Sequence, residues 1–448
     1  MTRKLILSLV LVFTVLGLQA QHSIKGTLKP FKGYSYALLY QIDGIEQRFI
    51  GNTSLLNGSF ELNVTADREP GMYRVVFDLQ KGVYLDVFYN KEDINFSLDP
   101  SNPEFTVQFS SSKSNEVYYK AKLALAMAQN QLDQFQVAYL KDPSDQLKSQ
   151  YMAQRKAMME LEKTYLDQAK GLYCEPFVKA LLRSNPEAPV ATGLDYLNYV
   201  RNHYFDHIDF SDKTLLSSDL LYNKVSDFIF YLNYSDDLSI QSTLYKKGIY
   251  NAMKYIDSES FRATMLELII SQFESQENLE MVEFVVSDYY AKLPYELQDN
   301  EFIKDVRATL ATAVGNSAPD FSWTDKGQQF ELNEVVKDGM TILVFWSSTC
   351  GHCLNDIPAL YAFLKDYPQY QVVAVGLEEY DEDWKELTAK MPEWHQVYGA
   401  GKWENPIARS YNIIGTPTYF ILDTTGVILA KPGNLENLQA LIQESTEN

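Results

Sequence analysis

The chain has 448 residues, 46% hydrophobic and 22% charged, which suits a globular protein of about two to four domains and excludes a disordered or fibrous one. Against 39 Lys and Arg stand 59 Asp and Glu, a formal net charge of -20. A field of that sign repels nucleic acid and anionic membrane, so neither is expected as a partner.

Residues 1–20 read as a secretory signal: Arg3 and Lys4, an apolar run from Leu5 to Leu18, then Leu18-Gln19-Ala20 as a small-residue cleavage site before Gln21. The run is shorter than the roughly 20 residues that span a bilayer. No cysteine follows the cleavage site, so lipid attachment there is not expected. The expected product is exported and soluble after cleavage, in the periplasm or cell envelope.

Residues 21–110 alternate in short runs separated by Gly, Asn and Pro, among them "YSYALLY", "SFELNV", "MYRVVFDL" and "VYLDVFY". Such close-spaced strands, with Asn57-Gly58 and Pro70-Gly71 turns, predict a small antiparallel β-sandwich or barrel. Residues 111–313 change period. "NEVYYKAKLALAMAQNQLDQFQVAYL" and "QLKSQYMAQRKAMMELEKTYLDQAKGLY" carry apolar residues at helical spacing around a "KDPSD" break, predicting a helical hairpin, and more helices follow. Residues 314–448 alternate strand and helix: "TILVFW", a helix from about Cys353, "QVVAVGL", "DWKELTAKM", the pair "TYFILD" and "VILAK", and a closing helix. The expected fold is therefore multidomain, with a β-sandwich-like start, an α-helical middle and an α/β end.

Cys350-Gly351-His352-Cys353 sits between a buried strand and a helix. A zinc site needs two further ligands, and this part of the chain supplies only His352 and His395, so no metal is expected. A structural disulfide suits two residues opening one helix poorly. A redox pair fits better: the first sulfur lies at the helix N-terminus, where unpaired N–H groups and the dipole stabilise a thiolate. That thiolate attacks a disulfide, and the second cysteine resolves the mixed disulfide.

Four stretches, "APDF" (318–321), "LVFWSSTCGHCLNDIP" (343–358), "VVAVGL" (372–377) and "IGTPTYFILDTTGVI" (414–428), together resemble the thioredoxin superfamily in its TlpA/ResA-like envelope branch. The resemblance covers residues 315–448. It implies a thioredoxin fold, a thiol-disulfide oxidoreductase activity without a cofactor, Cys350 as nucleophile and Cys353 as resolving thiol. It also implies that Thr416-Pro417 is a cis-proline unit facing the sulfurs, whose backbone pairs with an extended substrate. The expected partners are disulfide-bearing or thiol-bearing envelope proteins, with a membrane protein as electron donor. Residues 21–110 resemble the domain of unknown function that often precedes envelope thioredoxins.

Departures from the pattern carry information too. The buried Asp that many thioredoxins place on the central strand is Val344 here, and the Trp before the first cysteine is Thr349. Asp356, three residues after Cys353, matches an acid frequent in the TlpA/ResA branch. Its carboxylate can shuttle the Cys353 proton, or it can serve only as a first-turn acid facing the helix dipole. Gly351-His352 resembles the protein disulfide isomerase dipeptide; a charged His352 favours the Cys350 thiolate, giving an expected potential on the order of -180 to -270 mV. Reductase and isomerase directions both stay open. So does a different class, an envelope partner-binding protein whose thioredoxin domain is secondary, although intact cysteines and Thr416-Pro417 speak against it. His203 and His207 share a face only if "HYFDH" is helical, and a solvated or packed face is expected there rather than a metal pair. Cys174 is expected to be a buried structural thiol.

Overall fold

The computed structural model describes residues 21–447; the signal read at residues 1–20 lies outside them. The chain divides into two compact units, Met1–Arg262 and Ala263–Asn448, the division falling inside the helix Glu259–Ser275.

The first unit opens with eight strands, β1 (Gln21–Leu28), β2 (Tyr36–Asp43), β3 (Glu46–Ser54), β4 (Ser59–Thr65), β5 (Gly71–Asp78), β6 (Val83–Tyr89), β7 (Ile94–Leu98) and β8 (Gln108–Phe109). They form two four-stranded sheets, β4-β1-β7-β8 and β3-β2-β5-β6, whose inward residues share one core that includes Ile24, Val64 and Phe96 from the first sheet and Leu39, Val75 and Val87 from the second. The sandwich is therefore present, but not wholly antiparallel. β1 pairs antiparallel with β4 and parallel with β7. Between β1 and β7 the chain crosses to the other sheet and back, and such a crossover is what a parallel pair requires.

Alternation decides which faces are covered. In β4, Phe60, Leu62 and Val64 are buried and the residues between them exposed, as one solvated face demands. β5 is buried almost throughout, because helices cover the outer face of its sheet: Phe88 of β6 packs on Tyr118 and Phe177 with ring centroids 4.9 and 4.5 Å apart. Asn115 closes the exposed edge of β6, accepting from the Phe88 N–H and donating to its carbonyl, both at 2.8 Å. The helices Lys113–Lys141 and Asp145–Ala169 form the expected hairpin, the second capped by Ser144, which accepts from the Leu147 N–H. Shorter helices follow, including Glu175–Ala180, Gly193–Asn202 and Leu220–Asp227.

The second unit includes helices that precede residue 314, Leu279–Asp288 and Asn300–Ala311, and then a five-stranded sheet. After a small hairpin of β9 (Ser322–Asp325) and β10 (Gln328–Glu331), the sheet is built from β11 (Met340–Trp346), β12 (Tyr370–Glu378), β13 (His395–Ala400), β14 (Thr418–Leu422) and β15 (Ile428–Ala430), in the order β13-β12-β11-β14-β15. β11 runs parallel to β12 and antiparallel to β14. It is central and buried on both faces, hence the continuous apolar run "TILVFW". Ile342, Val344 and Trp346 face one core with Cys353, Ile357 and Leu438. Leu343 and Phe345 face the other with Trp323, Val336 and Tyr411. The helix Asn300–Ala311 is tied to this unit: Asn412 donates to Thr309 Oγ1 at 2.6 Å, and the Gly315 N–H to the Ile428 carbonyl at 2.8 Å.

Candidate active site

β11 delivers the chain to the sheet's C-terminal edge, where Ser347–Thr349 turn it into the helix Gly351–Phe363. Cys350 is the N-cap of that helix, and its sulfur accepts from the Cys353 N–H at 3.4 Å. An N-cap sulfur occupies the position where unpaired amides converge. Cys350 is half-buried, whereas Cys353 is fully buried against Val344 and Trp346.

These positions separate the two thiols. Burial opposes ionisation of Cys350, but the Cys353 thiol, Thr416 and the backbone N–H groups of Cys353 and His352 outweigh it and lower its pKa. Burial, reinforced by Cys350, pushes Cys353 up to about 12. Val344, where many thioredoxins carry an acid, is an apolar floor with no exposure. His352 is exposed, and what it brings to Cys350 is its backbone N–H.

The loop ahead of Cys350 is held by a residue that the sequence reading missed. Glu378, the last residue of β12, is 1% exposed. One carboxylate oxygen accepts from the Ser348 N–H at 2.5 Å, the other from the Ser347 hydroxyl at 3.2 Å. An acid ending an otherwise apolar strand, "QVVAVGLE", is the signal that could have found it.

From the other side comes the turn before β14. Thr416-Pro417 is a cis peptide, and the Thr416 carbonyl lies 3.3 Å from Cys350 Sγ. Asp356 is half-buried one turn along the helix. Tyr419 of β14 is fully buried. Burial first, then the charges of Asp356 and Cys353, raise its pKa, so acid, phenol and thiol share one neighbourhood. Beside it a hollow of about 90 Å³ is lined by Trp346, Cys353, Leu354, Ile357, Pro358 and Met391 among others. Leu354 and Ile414 are 45% and 90% exposed, leaving apolar surface on the segments that carry Cys353 and Thr416.

Residues 338–428 match the family model described as thioredoxin-like. The thioredoxin-like protein YneN of Bacillus subtilis is 31% identical over 116 residues, 25% of this chain and 68% of that protein. The chain belongs to the thioredoxin-like family. The thiol-disulfide oxidoreductase ResA of Bacillus cereus is 29% identical over 143 residues, 30% of this chain and 79% of its own length. The thioredoxin domain of a thiol-disulfide oxidoreductase from Bacteroides vulgatus is 26% identical over 30% of this chain and 97% of that one, with a TM-score of 0.27. The expected enzyme class, thiol-disulfide oxidoreductase, is the one that the name of the ResA relative carries. Residues 22–118 match a domain of unknown function, DUF4369, in agreement with the resemblance read there.

The other candidates belong to the first unit. His203 ends the helix Gly193–Asn202 and His207 falls in the turn beyond, so the two share no helical face. Asp206 holds His203 Nδ1 at 2.8 Å, and Ser184 meets His207 Nε2 at 3.2 Å. Among the described residues, no group of three His, Cys, Asp or Glu side chains could hold a metal ion. Cys174 is buried at the N-cap of the helix Glu175–Ala180, with its thiol pushed up to about 11 by burial. Among the described residues, no helix is long and apolar enough to cross a membrane.

Proposed function

We propose that this chain exchanges disulfides with exported protein clients through Cys350 and Cys353, its first 20 residues directing it to the periplasm or envelope. The observation that carries the reading is the asymmetry of the two thiols: one half-exposed N-cap sulfur with a lowered pKa, one buried sulfur raised to about 12. A thiolate is the attacking species, so the order of events follows from that difference.

The Cys350 thiolate attacks one sulfur of a client disulfide. The client S–S bond breaks, its second sulfur leaves as a thiolate, and Cys350 is joined to the client. Cys353 must then lose its proton, and Asp356 is the carboxylate on the same helix that receives it. The Cys353 thiolate attacks Cys350 Sγ and expels the remaining client sulfur. The client gains two electrons and the pair becomes a disulfide; a dithiol donor, expected at the membrane, restores it. The same steps reversed oxidise a dithiol client, so partner potentials set the direction. The Thr416 backbone and the exposed Leu354 and Ile414 receive the client chain. Val344 and Trp346 keep Cys353 dry, and Glu378 fixes the loop that aims Cys350.

Insulin reduction by the full chain with a dithiol donor tests this reading. Turnover that vanishes in Cys350→Ser supports it, and turnover that survives the substitution overturns it.

A further inference from the structure

Within the first unit a cavity of about 560 Å³ opens between the helices Lys113–Lys141, Gly193–Asn202 and Leu220–Asp227. That volume lies in the range of small-molecule sites. Leu125, Met158, Leu197, Val200 and Leu232 form its apolar wall. The helix Gly193–Asn202 accounts for the space: although it carries Leu197 and Val200 on one face, none of its residues is buried. A packed helix would bury that face against its neighbours, whereas here it roofs the cavity.

The charged groups on this cavity are all of one sign. Lys122, Arg183 and Lys224 line it beside His203, and no Asp or Glu does, in a chain of net charge -20. Three of the four are paired: Lys122 with Glu104 at 2.7 Å, Arg183 with Asp133 at 3.0 Å and His203 with Asp206 at 2.8 Å. Lys224 alone of the four makes no ion pair; its ammonium lies 5.6 Å from the centre of the Tyr204 ring. Burial lowers its pKa, and Asp227 opposes this only in part. A half-buried ammonium with no carboxylate at ion-pair distance gains from an anion brought into contact with it.

Lys122 and Lys224 also border a second hollow, of about 200 Å³, lined as well by Asp86, Glu104, Asp219 and Asp227, with Arg74 among them. An anionic group passing the lysines would meet those carboxylates. The site therefore has room for one negative charge at the lysine end and apolar volume behind it.

We propose that this cavity binds an aliphatic monocarboxylate, its chain against Leu197, Val200 and Leu232 and its carboxylate on Lys224. The pairing of one acid head with one unpaired cation sets specificity, and the apolar wall supplies the bulk of the affinity.

Sodium decanoate and 1-decanol are the probes, titrated calorimetrically into the full chain, with carbonyl-labelled decanoate followed by ¹³C NMR. Decanoate is expected to bind one to one and about tenfold or more tighter than the alcohol, the factor expected of one partly buried charge pair. Lys224→Met removes that preference while leaving decanol binding intact, Lys224→Arg keeps it, and Leu197→Trp, which narrows the cavity, weakens binding of both. Circular dichroism and thermal unfolding confirm that each variant folds; should Lys224→Met fail to, Lys224→Gln replaces it. No decanoate binding to the unaltered chain overturns the proposal, as does equal binding of acid and alcohol, or a decanoate affinity unmoved by Leu197→Trp.

Discussion

Cys350 Sγ lies 3.3 Å from the carbonyl oxygen of Thr416, 66 residues further along the chain. A protonated thiol donates to that oxygen, while a thiolate is repelled by it and depends on the Cys353 thiol, the Thr416 side chain and the amides of the helix N-terminus. The balance lowers the Cys350 pKa, whereas burial raises that of Cys353 to about 12. Iodoacetamide labelling of the reduced chain against pH should modify Cys350 with a midpoint below the roughly 8.5 of a free thiol and leave Cys353 untouched until strongly alkaline pH. The signs differ for stability too. The Cys350 contribution to the reduced form is present above the unfolded thiol pKa and lost as pH falls through the lower folded value. The Cys353 contribution is present below about pH 8.5 and lost as pH rises toward 12. Two thiols with equal midpoints would contradict the assignment.

Glu378 ends β12 with its carboxylate on Ser347 and Ser348. Glu378→Ala strands the Ser348 N–H in a buried place, a loss of about 1–3 kcal/mol, and loosens the loop ahead of Cys350. Chemical denaturation should show that drop together with slower insulin reduction, and Glu378→Gln, which keeps one acceptor, should fall between. Unchanged stability in the alanine variant would remove Glu378 from the account.

If Asp356 takes the Cys353 proton, Asp356→Asn slows release of the mixed disulfide by about 100-fold or more without altering the first attack. Stopped-flow with a fluorescent disulfide peptide separates the two steps; an equal effect on both, or none, would leave Asp356 as a surface acid at the helix start.

His352 reaches Cys350 through its backbone N–H. His352→Pro keeps the helix start, where proline is tolerated, but removes that donor. The thiolate is less stabilised, and the potential should fall by about 20–30 mV for a bond worth roughly 1 kcal/mol. His352→Ala keeps the N–H and should move it less. Glutathione equilibration measures both; a larger shift in the alanine variant would show that the imidazole charge dominates.

Much of the second unit was legible because its core strands are buried on both faces, and β11 and β12 read as unbroken apolar runs. β13, "HQVYGA", escaped because its buried residues, Gln396, Val397 and Gly399, include one large apolar side chain. The hairpin of β9 and β10 turns at Lys326-Gly327, both at positive φ, and its strands are four residues each, too short for a period to show. The parallel pairing of β1 with β7 depends on contacts between distant segments, which alternation within a strand does not encode. At the site, Cys350 and Cys353 were found by their spacing, and Thr416-Pro417 through the family resemblance. Glu378 was not, since it joins the loop only after β11 and β12 lie side by side.

The central claim, that Cys350 attacks and Cys353 resolves, is tested most directly by mass mapping of adducts formed with a disulfide-bearing peptide. The full chain carrying Cys353→Ser should accumulate one peptide disulfide on Cys350, and the chain carrying Cys350→Ser should accumulate none. Adducts on Cys353 in the Cys350→Ser chain at a comparable rate, or on Cys174 in either, would contradict it.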